Sequence, residues 1–279
     1  MTDSGVYFHV NVPLPSPAQK PADQPKIPAS RFRQVSARTS RVKVAVVDSG
    51  WDRSIWNEWV APGIGLVHPE RELEFHISDD DNDRQGHGTA CSSIVLSLAP
   101  ECTIIPVRVF GTTLETSPSS LIYAIEWART LGVKLINLSL GTARHDIGSH
   151  LYVACELARR DGVIIVAAAT NTNELCFPAV FQPVIGVGAS ALDDLSAIDY
   201  RHGDAIECRL RTRRRPVRWL GNRERLADGT SFAAPVVTGL IALWLADDPT
   251  LDVEGVRNRL REAAVPKERS VAFESWNGF

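Results

Sequence analysis

The sequence predicts an α/β domain, a single domain built on a mostly parallel central sheet with helices on both faces. Three observations carry that prediction. Short apolar, β-branched-rich runs recur at residues 42–47, 102–110, 134–140, 163–169 and 184–187, and runs of that length and composition suit strands buried on both faces. Segments with helical spacing separate several of them, and strand alternating with helix implies parallel pairing with crossover helices. The 279 residues are 44% hydrophobic and 23% charged, enough for one large core in a soluble protein.

The elements follow in order. Residues 11–30 hold six prolines among polar residues and alanines, so residues 1–40 form a proline-rich, extended N-terminal arm and residues 41–279 the domain. Val42 to Val47 is the first strand, followed by Asp48-Ser49-Gly50. Gly86-His87-Gly88-Thr89 opens a helix that runs through Ile94 and Leu96. Cys102 to Phe110 is a second strand. Ser117 to Leu131 is a helix with Leu121, Ile122, Ile125 and Ala128 on one face, a serine-rich start and Gly132 beyond its end. Strand Lys134–Leu140, helix Gly148–Arg160, strand Val163–Ala169 and strand Val184–Val187 come next. Val236 to Ala246 and Val253 to Ala264 close the chain as helices. The stretch Arg209–Arg225 packs eight arginines into 17 residues and alternates like an exposed basic hairpin. No internal repeat is present.

Bulk properties exclude several classes. A formal net charge of -3 gives no global reason for nucleic acid or a membrane as partner. The first residues, MTDSGVYFHVNVPLPSP, lack the basic start and apolar core of a secretory signal. Val163–Ala169 is the longest apolar run in this reading, far short of a membrane span. Five cysteines, at 91, 102, 155, 176 and 208, form an odd set without close pairs. Free thiols in a reducing cytoplasm are therefore expected.

Functional residues of open α/β sheets collect at the carboxyl ends of strands. Taken singly, Asp48 reads as a turn residue, His87 as a loop histidine and Ser231, in Gly229-Thr230-Ser231-Phe232-Ala233-Ala234-Pro235, as a helix N-cap. Taken together they are the parts of an activated hydroxyl nucleophile. The histidine takes the serine proton while the aspartate fixes the imidazole tautomer. The chain order Asp, His, Ser is one of the known orders for this chemistry.

VAVVDSG, GHGT and GTSFAAP, in that order, resemble the three signature blocks of the subtilisin-like serine peptidases, the subtilases. The resemblance covers about residues 41–266, and IEWARTLGVKLINLSLG is similar to the helix–strand pair that leads into the family's substrate-binding segment. It implies a serine endopeptidase with Asp48, His87 and Ser231 as triad and a protein or peptide as substrate. Ala167-Ala168-Ala169-Thr170-Asn171 matches the segment before the family's oxyanion asparagine, which makes Asn171 the oxyanion donor, with Asn173 as the alternative. Thr170 stands where the family has glycine. Ser139-Leu140-Gly141 matches a wall of the primary specificity pocket, and Leu114-Glu115-Thr116 falls where the family pairs the substrate as an added strand. Cys176 falls at the pocket base, where glycine is common, and implies a preference for small or medium apolar side chains.

Other features separate the chain from the secreted members. About 40 residues precede the first strand, too few for a folded prodomain, and the layout is closer to that of the intracellular members. The proline-rich arm either blocks the cleft or is a plain tail. Cys91 matches the cysteine of the proteinase K-like and thermitase-like branch. No organic cofactor is implied. The run Asp79-Asp80-Asp81-Asn82-Asp83 is either a calcium site, through Asp79, Asp81 and Asp83, or a solvated acidic loop. The insertion that builds the family's tight calcium site is missing between Ala90 and Pro100. The arginine stretch either recruits an acidic protein through guanidinium–carboxylate pairs or is a solvated face, nucleic acid being the weaker partner. Trp51, Trp56 and Trp59 pack the loop after Asp48 or form a partner contact. Selective intracellular processing, broad intracellular turnover and a degenerate binding module are the functional alternatives.

Overall fold

Every residue from Val44 to Asp48 is buried, and Val44 and Val46 face one core while Ala45 and Val47 face another. A strand that is apolar on both faces must lie inside a covered sheet. In the computed structural model, which describes residues 42–55, 57–67, 75–111, 113–170, 175–195 and 197–265, this strand is central. The N-terminal arm and Trp56 lie outside the described residues.

In chain order the strands are β1 (Lys43–Asp48), β2 (Ile64–Val67), β3 (His76–Ser78), β4 (Thr103–Arg108), β5 (Leu135–Leu138), β6 (Ile164–Ala168), β7 (Val184–Ala189), β8 (Asp199–Tyr200), β9 (Cys208–Leu210), β10 (Arg215–Trp219) and β11 (Arg223–Ala227). The first nine form one sheet of order β3-β2-β4-β1-β5-β6-β7-β9-β8. Neighbours are parallel except the outermost pairs, β2–β3 and β8–β9. Register is set through the centre by Val44 opposite Ile104 and Leu135, and Val47 opposite Val107 and Leu138. Strands β10 and β11 form a separate antiparallel hairpin.

Helices α1 (His87–Leu98), α4 (Ala234–Asp247) and α5 (Val253–Ala263) cover one face, with Cys91, Val95, Val237, Ile241 and Leu260 in its core. Helices α2 (Pro118–Thr130) and α3 (Gly148–Arg160) cover the other, through Leu121, Ile125, Leu151 and Cys155. Each fully buried aliphatic side chain stabilises the fold by roughly 1.5–3 kcal/mol. Ser117 caps α2 by accepting the Ser120 N–H at 3.0 Å, with Pro118 in the first turn, as its serine-rich start predicts.

The expected strands and helices are present within a few residues of their predicted ends. Two expectations change. Arg209 and Leu210 belong to β9 in the main sheet, because Cys208 and Leu210 are both core residues; the hairpin proper starts at Arg215. Among the described residues, Thr230–Asp247 is a longer apolar stretch than Val163–Ala169. It is long and apolar enough to cross a membrane, but 72% of it is buried, and it forms the central core helix together with the turn before it.

Candidate active site

Asp48 is the last residue of β1 and is fully buried. His87 is the first residue of α1, and the sequence fixes that helix start with three groups. The Ser49 hydroxyl accepts the Gly88 N–H at 2.8 Å, and the Asp83 carboxylate accepts the N–H groups of Gly86 (2.8 Å) and Thr89 (2.9 Å). Thr89 Oγ1 also donates to Asp83 at 2.7 Å. The first-turn donors of α1 are thus satisfied by residues on both sides of the β1 end, and a carboxylate sits at the positive end of the helix dipole. Gly86 adopts φ 96°, and a Cβ there would overlap the indole of Trp219. Glycine is required on both counts.

This arrangement brings His87 Nδ1 to 2.7 and 2.9 Å from the two oxygens of Asp48. A carboxylate on Nδ1 selects the tautomer protonated there and leaves the Nε2 lone pair for proton exchange. Burial by itself would lower the imidazole pKa; the Asp48 carboxylate outweighs it, and the net direction is well above the usual histidine range.

Ser231 is not a helix N-cap. It lies in a 3-10 turn, Thr230–Phe232, and Ala233 occupies the cap position of α4 without a side-chain bond. The next residue, Phe232, sets its ring 4.9 Å from the His87 ring, so the turn that carries Ser231 packs on the imidazole. A buried polar chain holds it there. Ser139 Oγ donates to the Ser231 carbonyl at 2.8 Å, Asn137 Nδ2 donates to Ser139 Oγ at 2.9 Å, and Thr238 Oγ1 donates to Asn137 Oδ1 at 2.8 Å. The Cys91 thiol lies 3.5 Å from the same carbonyl and 3.8 Å from His87 Nδ1, and burial pushes its pKa up, keeping it a neutral thiol. Asn137, Thr238 and Phe232 were not singled out in the sequence. Asn137 and Thr238 sit in β5 and α4, where a polar residue in an apolar run is the available signal, and Phe232 lies inside the GTSFAAP block itself.

The pocket residues divide. The Ser139 hydroxyl turns inward and donates to the Ser231 carbonyl, a buried acceptor that needs a partner. Gly141 and Cys176 do meet: a Cβ on Gly141 would overlap Cys176 Sγ. Thr142 and Phe177 pair as an antiparallel bridge at 2.9 and 2.8 Å, which fixes the two segments side by side. Leu140 and Cys176 are buried. Leu114, Glu115 and Thr116 lie just before α2, with Leu114 packed on the adjacent core, Glu115 exposed and Thr116 buried. Thr230 Oγ1 donates to the Ala169 carbonyl at 2.6 Å and ties the Ser231 turn to the end of β6. Asn171 and Asn173 lie outside the described residues.

The acidic run is engaged from within. Asp81 accepts Arg53 Nε at 2.7 Å and the Gly63 N–H at 2.5 Å, Asp83 is spent on α1, and Asp80 pairs with Arg84 and Arg108. A calcium ion needs several oxygens turned toward one point; Asp81 and Asp83 instead face cations and N–H donors, so they do not fit that site. Helix α1 runs unbroken through Ala90–Leu98. Trp51 is buried and Trp59 half-buried, as packing of this loop requires. The hairpin docks on the same corner. Trp219 covers Gly86, and the Gly221 N–H donates to Asp52 Oδ2 at 2.6 Å.

Comparison with known proteins identifies the family. The profile of the subtilase family matches residues 39–277. Subtilisin DY of Bacillus licheniformis is 29% identical over 255 residues, covering 86% of this chain and 89% of its own. Subtilisin E of Bacillus subtilis (strain 168) is 30% identical over 240 residues, covering 81% of this chain; the chain spans 61% of that relative's length. Among solved structures, the S41 psychrophilic protease superposes with a TM-score of 0.65 at 23% identity, over 84% of this chain and 87% of its own. A cold-adapted subtilisin-like serine proteinase gives 0.63 at 20% identity, over 78% and 80%; at these identities the likeness is one of fold. The chain belongs to the subtilase family, and its peptidase domain is that of a subtilisin-like serine endopeptidase.

Proposed function

We propose that the chain cleaves peptide bonds through an acyl-serine intermediate, with Ser231 as nucleophile, His87 as general base and then general acid, and Asp48 as the group that orients the imidazole. The observation that carries this reading is the buried Asp48–His87 pair at 2.7 Å, with the Ser231 turn packed on the same imidazole. Ser231 Oγ gives its proton to His87 Nε2 as it attacks the carbonyl carbon. His87 then protonates the leaving amine, and water, deprotonated by the same nitrogen, releases the acyl group. The Ser231 N–H and the Asn171 amide are the expected oxyanion donors, the side-chain donor worth roughly 3–4 kcal/mol. No organic cofactor enters such a scheme.

The contact of Cys176 with Gly141 supports a narrow primary pocket that takes small or medium apolar side chains. The five buried free thiols support work in a reducing compartment, the cytoplasm. The exposed arginines of the hairpin favour a selected substrate with an acidic segment over broad turnover. The oriented Asp48–His87 pair favours an enzyme over a degenerate binding module.

A fluorophosphonate probe tests the triad. Labelling is expected in the wild type and lost in Ser231→Ala and His87→Ala, both melting like the wild type. Labelling that persists in Ser231→Ala overturns the assignment.

A further inference from the structure

Most arginines described in this molecule meet a carboxylate. Arg53 pairs with Asp81, Arg129 with Asp161, Arg201 with Asp199 and Arg257 with Glu207. The hairpin differs. Arg213, Arg214, Arg218, Arg223 and Arg225 are exposed, and among the described residues none has a carboxylate within ion-pair distance. Their contacts are weak or local: Arg218 Nη1 donates to Asn222 Oδ1 at 2.7 Å, Arg223 Nε to the Leu220 carbonyl at 3.2 Å, and the Arg225 guanidinium lies 4.5 Å over the Trp219 ring. Of the hairpin's own acids, Glu224 stands opposite Arg218 on the other face from Arg223 and Arg225 and forms no ion pair among the described residues, and Asp228 accepts the backbone N–H of Arg214 at 2.6 Å. A strand pair that presents several guanidiniums without carboxylate partners, in a chain of net charge -3, is a complement for carboxylates.

The position gives a direction. Gly141 and Cys176 lie beside the end of β6, where Cys176 Sγ faces the Ala168 carbonyl at 3.7 Å. The hairpin lies on the other flank of the nucleophile turn. Trp219 covers Gly86, next to His87, and Gly221 is held by Asp52, four residues past Asp48. In acyl transfer the imidazole protonates the leaving amine, so the segment C-terminal to the cut bond leaves past His87. We infer that Arg223 and Arg225, which share the Val217–Trp219 face of the hairpin, bind an acidic stretch of the polypeptide substrate on the C-terminal side of the scissile bond. The direction of this inference rests on the acyl-serine reading above; the charge complementarity does not.

Two peptides identical up to the cut bond test it, one with Glu-Asp-Glu and one with Gln-Asn-Gln three residues beyond. The acidic peptide is expected to have a kcat/KM at least about tenfold higher at low salt, converging to within about twofold at 1 M salt as screening removes the attraction. Arg223→Ala/Arg225→Ala should collapse the ratio, Arg223→Lys/Arg225→Lys should keep part of it, and Arg129→Ala on the opposite face should leave it intact. Anisotropy of the labelled peptides on Ser231→Ala reads the same preference without catalysis, so failure of the triad and failure of the hairpin site are separate outcomes. Equal binding of the two peptides overturns the proposal. So does an equal gain when the acids are moved to the N-terminal side. Displacement by a short oligonucleotide with no discrimination between peptides would reassign the face to nucleic acid.

Discussion

The acidic run Asp79–Asp83 and the basic hairpin of β10 and β11 both reach the N-terminus of α1, and their charges are used in different ways. Asp81 and Asp83 are buried and saturated: Asp81 takes donors from Arg53 and Gly63, distant in sequence, and Asp83 takes those of the adjoining start of α1. The hairpin arginines point to solvent except Arg215, which is buried under the strand pair and held by the carbonyls of Leu195 and Arg211. Burial lowers the Arg215 pKa, as expected for a guanidinium without a carboxylate. A dense run of one charge therefore means structure where the local fold supplies donors, and a surface for a partner where it does not.

The largest expected effect breaks the acidic half of this comparison. Asp83→Ala removes the acceptor of three backbone N–H groups, those of Gln85, Gly86 and Thr89, and of the Thr89 hydroxyl, and leaves the first turn of α1 open. We expect a loss of about 3 kcal/mol in denaturant unfolding, or about 5–10 °C in Tm for a domain of this size. The His87 imidazole would lose its fixed place, so kcat should fall as well. An unchanged Tm would show that the acidic run is a solvated loop after all.

Asp52 joins the two regions. Its N–H donates to Thr89 Oγ1 at 2.9 Å, which in turn donates to Asp83, and its carboxylate holds Gly221 of the hairpin turn. Asp52→Ala should cost about 1–2 kcal/mol and make residues 220–222 the first site nicked in limited proteolysis. Partial burial works against ionisation, but the N–H of Gly221 and the bonds from Ser54 outweigh it and hold the carboxyl below its usual value. A folded pKa below the unfolded one stabilises above the unfolded value and is lost as pH falls through the folded one. Hairpin docking should therefore persist at pH 5, and protection of the hairpin amides from exchange at that pH is the check.

The difference between the two regions also marks what the sequence could disclose. The strands were legible because apolar runs between glycines have few other uses in a soluble chain, and Asp48, His87 and Ser231 stand out as candidates because each lies within a recognisable block. The inward turn of Ser139 was not, since a hydroxyl beside a pocket motif does not say which carbonyl lies behind it. Nor was the partner of Arg209–Leu210: alternation gives the two faces of a strand but not its neighbour. Asp83 was legible as an acid and not as a cap, because it precedes the cap position of α1 by three residues and acts across a turn.

Calcium gives a smaller effect. With Asp81 and Asp83 already committed, millimolar calcium should shift the Tm of Asp83→Asn and of the wild type by the same amount. A wild-type gain of several degrees that Asp83→Asn lacks would put an ion in this loop and undo the contrast.

The smallest expected effects belong to the hairpin. Exposed guanidiniums without carboxylate partners contribute little to folding, so Arg213→Ala and Arg218→Ala should each change unfolding free energy by no more than about 0.5 kcal/mol. Arg225→Ala should cost slightly more, about 0.5–1 kcal/mol, because its guanidinium covers the Trp219 face. The order matters more than the sizes. A face kept for binding can lose its charges and stay folded, whereas a face whose charges hold the fold cannot. If removing Arg213, Arg218 and Arg225 together lowered stability as much as Asp83→Ala, the arginines would be structural in the same sense as the aspartates, and the surface would no longer need a partner to account for it.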